Sequence, residues 1–302
     1  MPFYELHGYR VQCDWKLPIP DARQEGASPD LKITHLKSAL PKPDRWHEMV
    51  SSEGHPVAWL GAWGDQFILD FQKQASFVFS DFEIAVLNPL LSEGDLNTLL
   101  MSQVIPMALS SQADLILHAS GVAVENRAWA FLGLEGSGKS TLAASFWQKD
   151  FTVLSDDSLR IHLGADQAEV YFGTPEIRIF SAAIKKLFKH PEKLKLTPAI
   201  HKKRILISGE RRGTVPLKGI FCLNPQSEAD SVKIEDLKPM AALPYLLRSI
   251  FRIDLDGKVK QKKELYACVN FLEKVPAYLV TYPHSWELHT DLVQKMTGVM
   301  QS

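Results

Sequence analysis

Apolar and polar positions change their rhythm near residue 110. Before it the pattern is mostly of strand type, with short apolar stretches at 57–63, 66–71, 76–79 and 83–87 and the turn pair Gly64-Asp65 between the first two. Such spacing predicts a β-meander. Residues 18–56 hold Pro18, Pro20, Pro29, Pro41, Pro43 and Pro56 and are expected to run irregularly over the surface. Leu96, Leu99, Leu100, Val104 and Met107 then fall on one helical face, predicting a helix capped by Asp95 and reaching Ala108. Pro106 should kink or end it. Residues 1–110 are therefore read as an N-terminal β-rich domain with a connecting helix.

From 111 to 302 strands and helices alternate, which is the α/β pattern. Runs at 115–118 and 122–124, the turn Glu125-Asn126-Arg127 and the run 128–132 predict a β-hairpin. A helix is expected over 141–148 and a compact strand over 151–154. Further strands are expected at 205–207, 217–223 and 278–281, with helices over 239–251 (broken early by Pro244) and 285–300.

Between the strand at 128–132 and the helix lies Gly133-Leu134-Glu135-Gly136-Ser137-Gly138-Lys139-Ser140-Thr141, a match to G-x-x-x-x-G-K-[ST]. Strand, glycine-rich loop and helix, in that order, are what a nucleotide-phosphate cradle requires. Gly133, Gly136 and Gly138 let backbone N–H groups turn inward, and the helix dipole adds positive potential. Lys139 is placed to reach the β- and γ-phosphates, and the Ser140 hydroxyl to hold Mg²⁺. The strand at 151–154 ends in Ser155-Asp156-Asp157, two carboxylates where metal coordination and base chemistry belong. Paired aspartates favour a kinase over a switch GTPase, and neither an Asn-Lys-x-Asp tetrad nor a Leu-Ser-Gly-Gly signature occurs.

Four elements in series resemble the HPr serine kinase family: Leu117-His118-Ala119-Ser120-Gly121-Val122, the loop, Leu154-Ser155-Asp156-Asp157 and Pro175-Glu176-Ile177-Arg178. The resemblance covers about residues 112 to 290. It implies a P-loop core of the type that family shares with phosphoenolpyruvate carboxykinases. By position it implies Asp156 as base, Asp157 as metal partner with Ser140, and Glu176 assisting the metal. Arg178 would stabilise the transferring phosphate and His118 would flank the reaction centre. Thr141 stands where HPr kinases carry glutamate, and Ile179-Phe180 where they continue with a glycine-rich signature. In both respects the chain is similar to HPr kinase-like proteins of peptide-modification systems, including lasso-peptide kinases. The implied activity is ATP- and Mg²⁺-dependent phosphorylation of a serine on a peptide or small protein. A small-molecule kinase and a non-catalytic nucleotide-binding regulatory module are the alternatives.

Composition narrows the partners. With 34 basic and 35 acidic side chains the net charge is -1, against a nucleic-acid polymer or membrane-surface partner and open to a homo-oligomer. Lys185, Lys186, Lys189, Lys193, Lys195, Lys202, Lys203, Arg204, Arg211 and Arg212 nevertheless concentrate positive charge beside only Glu192 and Glu210. Lys203 and Arg204 are expected to project toward the nucleotide. Arg248 and Arg252, four apart, share a helix face. Cys13, Cys222 and Cys268 lack metal spacing and are expected to be inert thiols. Residues 1–15 lack a signal pattern and no run has the length of a membrane span, so a cytoplasmic protein is expected.

Overall fold

The computed structural model describes residues 1–22, 28–50, 54–72, 74–112, 115–199, 202–207 and 212–301. The chain divides into two compact units, Met1–Gln112 with Arg252–Gly257, and Ala113–Phe251 with Lys258–Ser302. Among the described residues no helix is long and apolar enough to cross a membrane.

The first unit is a sheet of β1 (Phe3–Leu6), β2 (Tyr9–Cys13), β3 (Leu31–Leu36), β4 (Arg45–Val50), β5 (Pro56–Trp63), β6 (Gln66–Phe71), β7 (Ala75–Ser80) and β8 (Glu83–Leu87). Its order is β1-β2-β3-β8-β7-β6-β5-β4. The run from β4 to β8 is an antiparallel meander, and β3 joins it parallel to β8. Two strands lie inside the proline-rich stretch expected to be irregular. The alternation Leu31, Ile33 inward and Lys32 outward sets β3, and the prolines fall between strands or at a strand's first residue.

The helix near residue 95 also differs from expectation. Ser92, not Asp95, is the cap: its hydroxyl accepts from the Asp95 amide at 3.2 Å while bonding the Asp95 carboxylate. Helix α1 (Glu93–Leu99) passes through a π turn, Leu100–Val104, into α2 (Ile105–Leu109). Pro106 does not stop it. It sits in the first turn of the segment after the wider π turn, where a missing N–H costs least.

The second unit begins with β9 (Leu115–Leu117), β10 (Ser120–Val124) and β11 (Arg127–Leu132), then α3 (Lys139–Trp147), β12 (Thr152–Ser155), β13 (Leu159–Leu163) and β14 (Ala168–Tyr171). It continues with β15 (Glu176–Ile179), α4 (Ser181–Leu187), β16 (Leu196–Ala199), β17 (Lys202–Leu206), β18 (Thr214–Pro225) and β19 (Lys233–Leu237). The last elements are α5 (Pro239–Ser249), α6 (Lys258–Lys274), β20 (Ala277–Tyr282) and α7 (His289–Gln301). The main sheet runs β12-β10-β11-β18-β14-β13-β9, with β20 on β18 and β19 on β20. A smaller sheet orders as β15-β17-β16. The hairpin β10–β11 turns at Glu125 and Asn126, both left-handed at φ 51° and 58°, the geometry of a two-residue type I′ turn.

Period-2 alternation decides what each face of the sheet meets. Ala128, Ala130, Leu132, Ile220 and Cys222 pack toward Ala242 and Leu246 of α5 and Cys268 and Phe271 of α6. Trp129, Phe131, Phe221 and Leu223 pack toward Leu142 and Phe146 of α3 and Leu292 and Met296 of α7. The sheet is thus covered on both sides, and the stretches 128–132 and 219–223 of its central strands are apolar, as the middle of a buried α/β sheet must be. Helix α5 runs unbroken past Pro244, because Ala242 and Leu246 anchor it on the core while its first turn is exposed. The three cysteines are buried, and none is in a disulfide.

Candidate functional site

Strands β11, β18 and β20 are mutually parallel, and β12 is parallel to β11 through the antiparallel strand β10 between them. The carboxyl ends of β11, β12, β18 and β20 and the start of β10 therefore open on one edge of the sheet. That edge is where open α/β sheets place their ligands. It brings together the Gly133–Thr141 loop, Asp156-Asp157, His118-Ala119-Ser120, Asn224 and Tyr282.

The loop leaves β11 and enters α3 through Gly138, whose φ of 92° is left-handed and closed to other residues without strain. At Gly133 the limit is space: a Cβ there would lie 2.6 Å from Ser137 Oγ and 3.1 Å from Leu223 Cβ. Lys139 is buried, and its ammonium donates to the carbonyls of Gly133 (2.9 Å) and Leu134 (3.1 Å). Burial lowers the lysine pKa, while Asp156, Asp157 and Glu135 pull it back up. Ser140 and Thr141 are half-buried in the first turn of α3, and Glu135 and Gly136 are exposed. Ser137 Oγ is buried without a hydrogen-bond partner among the described residues, and the Tyr282 hydroxyl donates to the Ser137 carbonyl.

The two aspartates are adjacent in sequence and opposite in circumstance. Asp156 Oδ1 accepts from the Ser120 hydroxyl at 2.5 Å and Oδ2 from the Arg178 amide at 2.9 Å. Burial, followed by the neighbouring charge of Asp157, raises its pKa despite those bonds. Asp157, at a left-handed φ of 69°, turns its carboxylate to the Arg178 guanidinium, with Nε to Oδ2 at 2.5 Å. Burial alone would raise Asp157 too, but Arg178, His118 and Lys202 together hold it below the usual carboxylate range. The His118 Nδ1 lies 3.0 Å from the Asp157 carbonyl, which can only accept, so Nδ1 carries the proton of the neutral ring. Burial, then Lys139, pushes His118 down to about 4.

Glu176 is also buried, but its carboxylate meets Arg204 Nε at 2.7 Å across the β15–β17 pair. Burial pushes Glu176 up to about 7 against the pull of Arg204 and Arg178. Arg204, expected to face a nucleotide, is committed to that pair. Lys202 is the cation of β17 whose charge reaches Lys139 and both aspartates. Glu210 and Arg211 of the basic stretch lie outside the described residues. Arg248 lines a cavity of about 420 Å³ together with His118, the loop from Gly133 to Ser137 and Asn224. Arg252 belongs to the other compact unit.

Ser120, Arg204 as the partner of Glu176, and Tyr282 carry roles that the sequence does not announce. Ser120 falls within the run Leu117–Val122, but a serine at a strand start has no signal until Asp156 is beside it. Among the described residues no group of three or more His, Cys, Asp or Glu side chains is arranged to hold a metal ion.

No protein-family model matches the chain, and no curated protein matches it. Among solved structures, the chain is similar to the HPr(Ser) kinase/phosphatase from Coxiella burnetii. The identity is 10%, with 62% of this chain and 99% of that chain covered and a TM-score of 0.33.

Proposed function

We propose that this chain is an ATP- and Mg²⁺-dependent kinase that phosphorylates a serine hydroxyl of a peptide or small protein, of the kind handled in ribosomal-peptide modification. The observation that carries the reading is the pair Asp156 and Asp157 on the same sheet edge as the glycine-rich loop, one carboxylate held by the Ser120 hydroxyl and the Arg178 amide and the other by the Arg178 guanidinium. Neighbouring carboxylates driven apart in pKa divide the labour of a transfer site: the raised one moves a proton and the lowered one stays charged.

The residues suit both absent groups. For the nucleotide, a buried lysine held only by loop carbonyls and the orphaned Ser137 hydroxyl are donors that phosphate oxygens would complete. For Mg²⁺, the Ser140 hydroxyl and Asp157 Oδ1 are hard oxygen donors, and this ion commonly takes one or two carboxylates beside phosphate. Glu176 is less suited, since burial raises it to about 7 and favours its protonated form, while Asp157 is held ionised. When bound, the two supply the phosphoryl group and neutralise its oxygens.

The chain's own part is positioning and proton transfer. Asp156 accepts the proton of the attacking hydroxyl on a remaining lone pair, its carboxylate fixed by the Ser120 and Arg178 donors. Arg178 holds Asp157 ionised and keeps its guanidinium beside the reacting centre. His118, neutral at pH 7, orients the Asp157 backbone without adding positive charge.

The test is mass spectrometry of serine-containing peptides and candidate metabolites incubated with the full chain, ATP and Mg²⁺. Phosphoserine on a peptide is the expected product. Phosphorylation of metabolites alone would move the acceptor class, and tight ATP binding with no transfer to anything would leave a regulatory module.

A further inference from the structure

A second cavity, of about 260 Å³, opens on the other flank of the loop, between the start of α3, the end of β20 and α7. Ser137, Thr141, Tyr282, Trp286, His289 and Leu292 line it. From these we propose that it is a base-binding site, which takes the purine ring of the nucleotide whose phosphates the loop holds. The proposal rests on the function proposed above and names the part of the nucleotide that function leaves unassigned.

Three observations converge. The wall is aromatic: Trp286 and His289 make a tilted ring contact, with centroids 5.1 Å apart at an interplanar angle of 53°. Trp286 is 41% exposed, so an indole stands open to solvent at the rim of a cavity, where a stacking partner would cover it. The aromatic floor is fixed to the loop itself, because the Tyr282 hydroxyl is bonded to the Ser137 carbonyl. Phosphates on the loop and a ring in the cavity are therefore held by one rigid connection.

Polar groups are present in the small number that base recognition uses. Thr141 and Ser285 line this cavity beside Ser137, whose hydroxyl is left to the phosphates. His289 Nε2 lies 2.8 Å from the Ser145 hydroxyl, which orients the ring, and burial lowers its pKa. His284 lines both cavities and stands between them. The volume lies just below the roughly 300–1,000 Å³ of whole small-molecule pockets, which suits one bicyclic ring rather than an entire nucleotide. A purine uses more of the stacking surface than a pyrimidine does.

Calorimetric titration of the full chain with Mg²⁺ and ATP, UTP or inorganic tripolyphosphate tests this. ATP should bind more tightly than either of the others. Trp286→Ala should weaken ATP about tenfold and leave tripolyphosphate unchanged, since base–aromatic stacking is removed and the phosphate cradle is not. Trp286→Phe, which keeps a ring, should retain most of the ATP affinity, and melting curves of both variants should overlay the wild type. Unchanged ATP affinity in Trp286→Ala, or equal losses for ATP and tripolyphosphate, would overturn the base site. Tripolyphosphate binding that ignores Lys139→Ala would instead overturn the phosphate-loop reading beneath it, so the two failures are distinguishable.

Discussion

Acid should weaken the second unit through one imidazole. His118 has its Nδ1 on the Asp157 carbonyl and its ring edge-on to Phe251 at 5.9 Å. Burial, with Lys139 and Arg178 nearby, brings its pKa from 6.5 to about 4. The difference is about 2.5 units, or roughly 3 kcal/mol at 1.36 kcal/mol per unit. The sign follows from proton counting. Between pH 6.5 and 4 the unfolded chain binds this proton and the folded chain does not, so the contribution is complete above 6.5 and is lost as pH falls through 4. Part of the ring borders the cavity of about 420 Å³, where water screens a charge, so roughly 3 kcal/mol is an upper bound. The comparison is with His118→Gln, whose amide keeps a donor for the Asp157 carbonyl but does not titrate. Urea unfolding at intervals from pH 7 to 4 should show the wild type losing up to about 3 kcal/mol relative to the variant. Imidazole NMR should place the titration near 4. A midpoint at 6.5 or above, or parallel stability curves, would refute the argument that burial and Lys139 hold the ring neutral.

Three further outcomes follow from the same geometry. Asp156→Asn keeps the shape, with its amide oxygen able to accept from the Arg178 backbone N–H and its NH2 able to donate to the Ser120 oxygen, but removes proton-accepting capacity, so ATP should bind in calorimetry while single-turnover transfer drops about 10²-fold or more. Near-normal transfer in that variant, with Asp157→Asn inactive, would exchange the two roles. Lys139→Ala should cost most of the affinity for ATP, and an unchanged dissociation constant would remove the loop from phosphate binding. Glu176, raised from 4.5 to about 7, gives a pH dependence opposite to that of His118. The folded state keeps its proton between those values, so this contribution is complete below 4.5 and lost by about pH 7. Glu176→Gln should flatten that slope. An identical slope in the variant would mean that Arg204, 2.7 Å away, holds the carboxylate ionised throughout.

How much was legible depends on the range over which each signal acts. Strands β5 to β8 follow from local alternation bounded by turns, and the β10–β11 hairpin from a polar dipeptide between apolar runs. Strands β3 and β4 did not, because prolines between strands look the same in sequence as prolines in irregular chain; only pairing with β8 and β5 separates the cases. The π turn at Leu100–Val104 was illegible for a similar reason. Propensity has no term for a widened turn, and the apolar face stays continuous across it. Strand β10 between β11 and β12 is a matter of topology that neither strand's own residues encode.

The arrangement of the candidate site was legible where a motif fixes several residues at once and illegible where one polar residue matters only through a distant partner. The loop and the aspartate pair are of the first kind. Ser120, 36 positions from Asp156, and Tyr282, 145 positions from Ser137, are of the second. The same distinction explains why adjacency in sequence misleads about Asp156 and Asp157. Consecutive carboxylates in an extended segment would point to opposite faces and have no common partner. Here the left-handed turn at Asp157 sends its side chain to the Arg178 guanidinium, while Asp156 takes the backbone amide of that same arginine. One residue of β15 thus fixes both carboxylates, with its charge on one and only a dipole on the other. Replacing Arg178 would remove more than a cation: it would erase the difference between the two acids on which a division into base and metal partner depends.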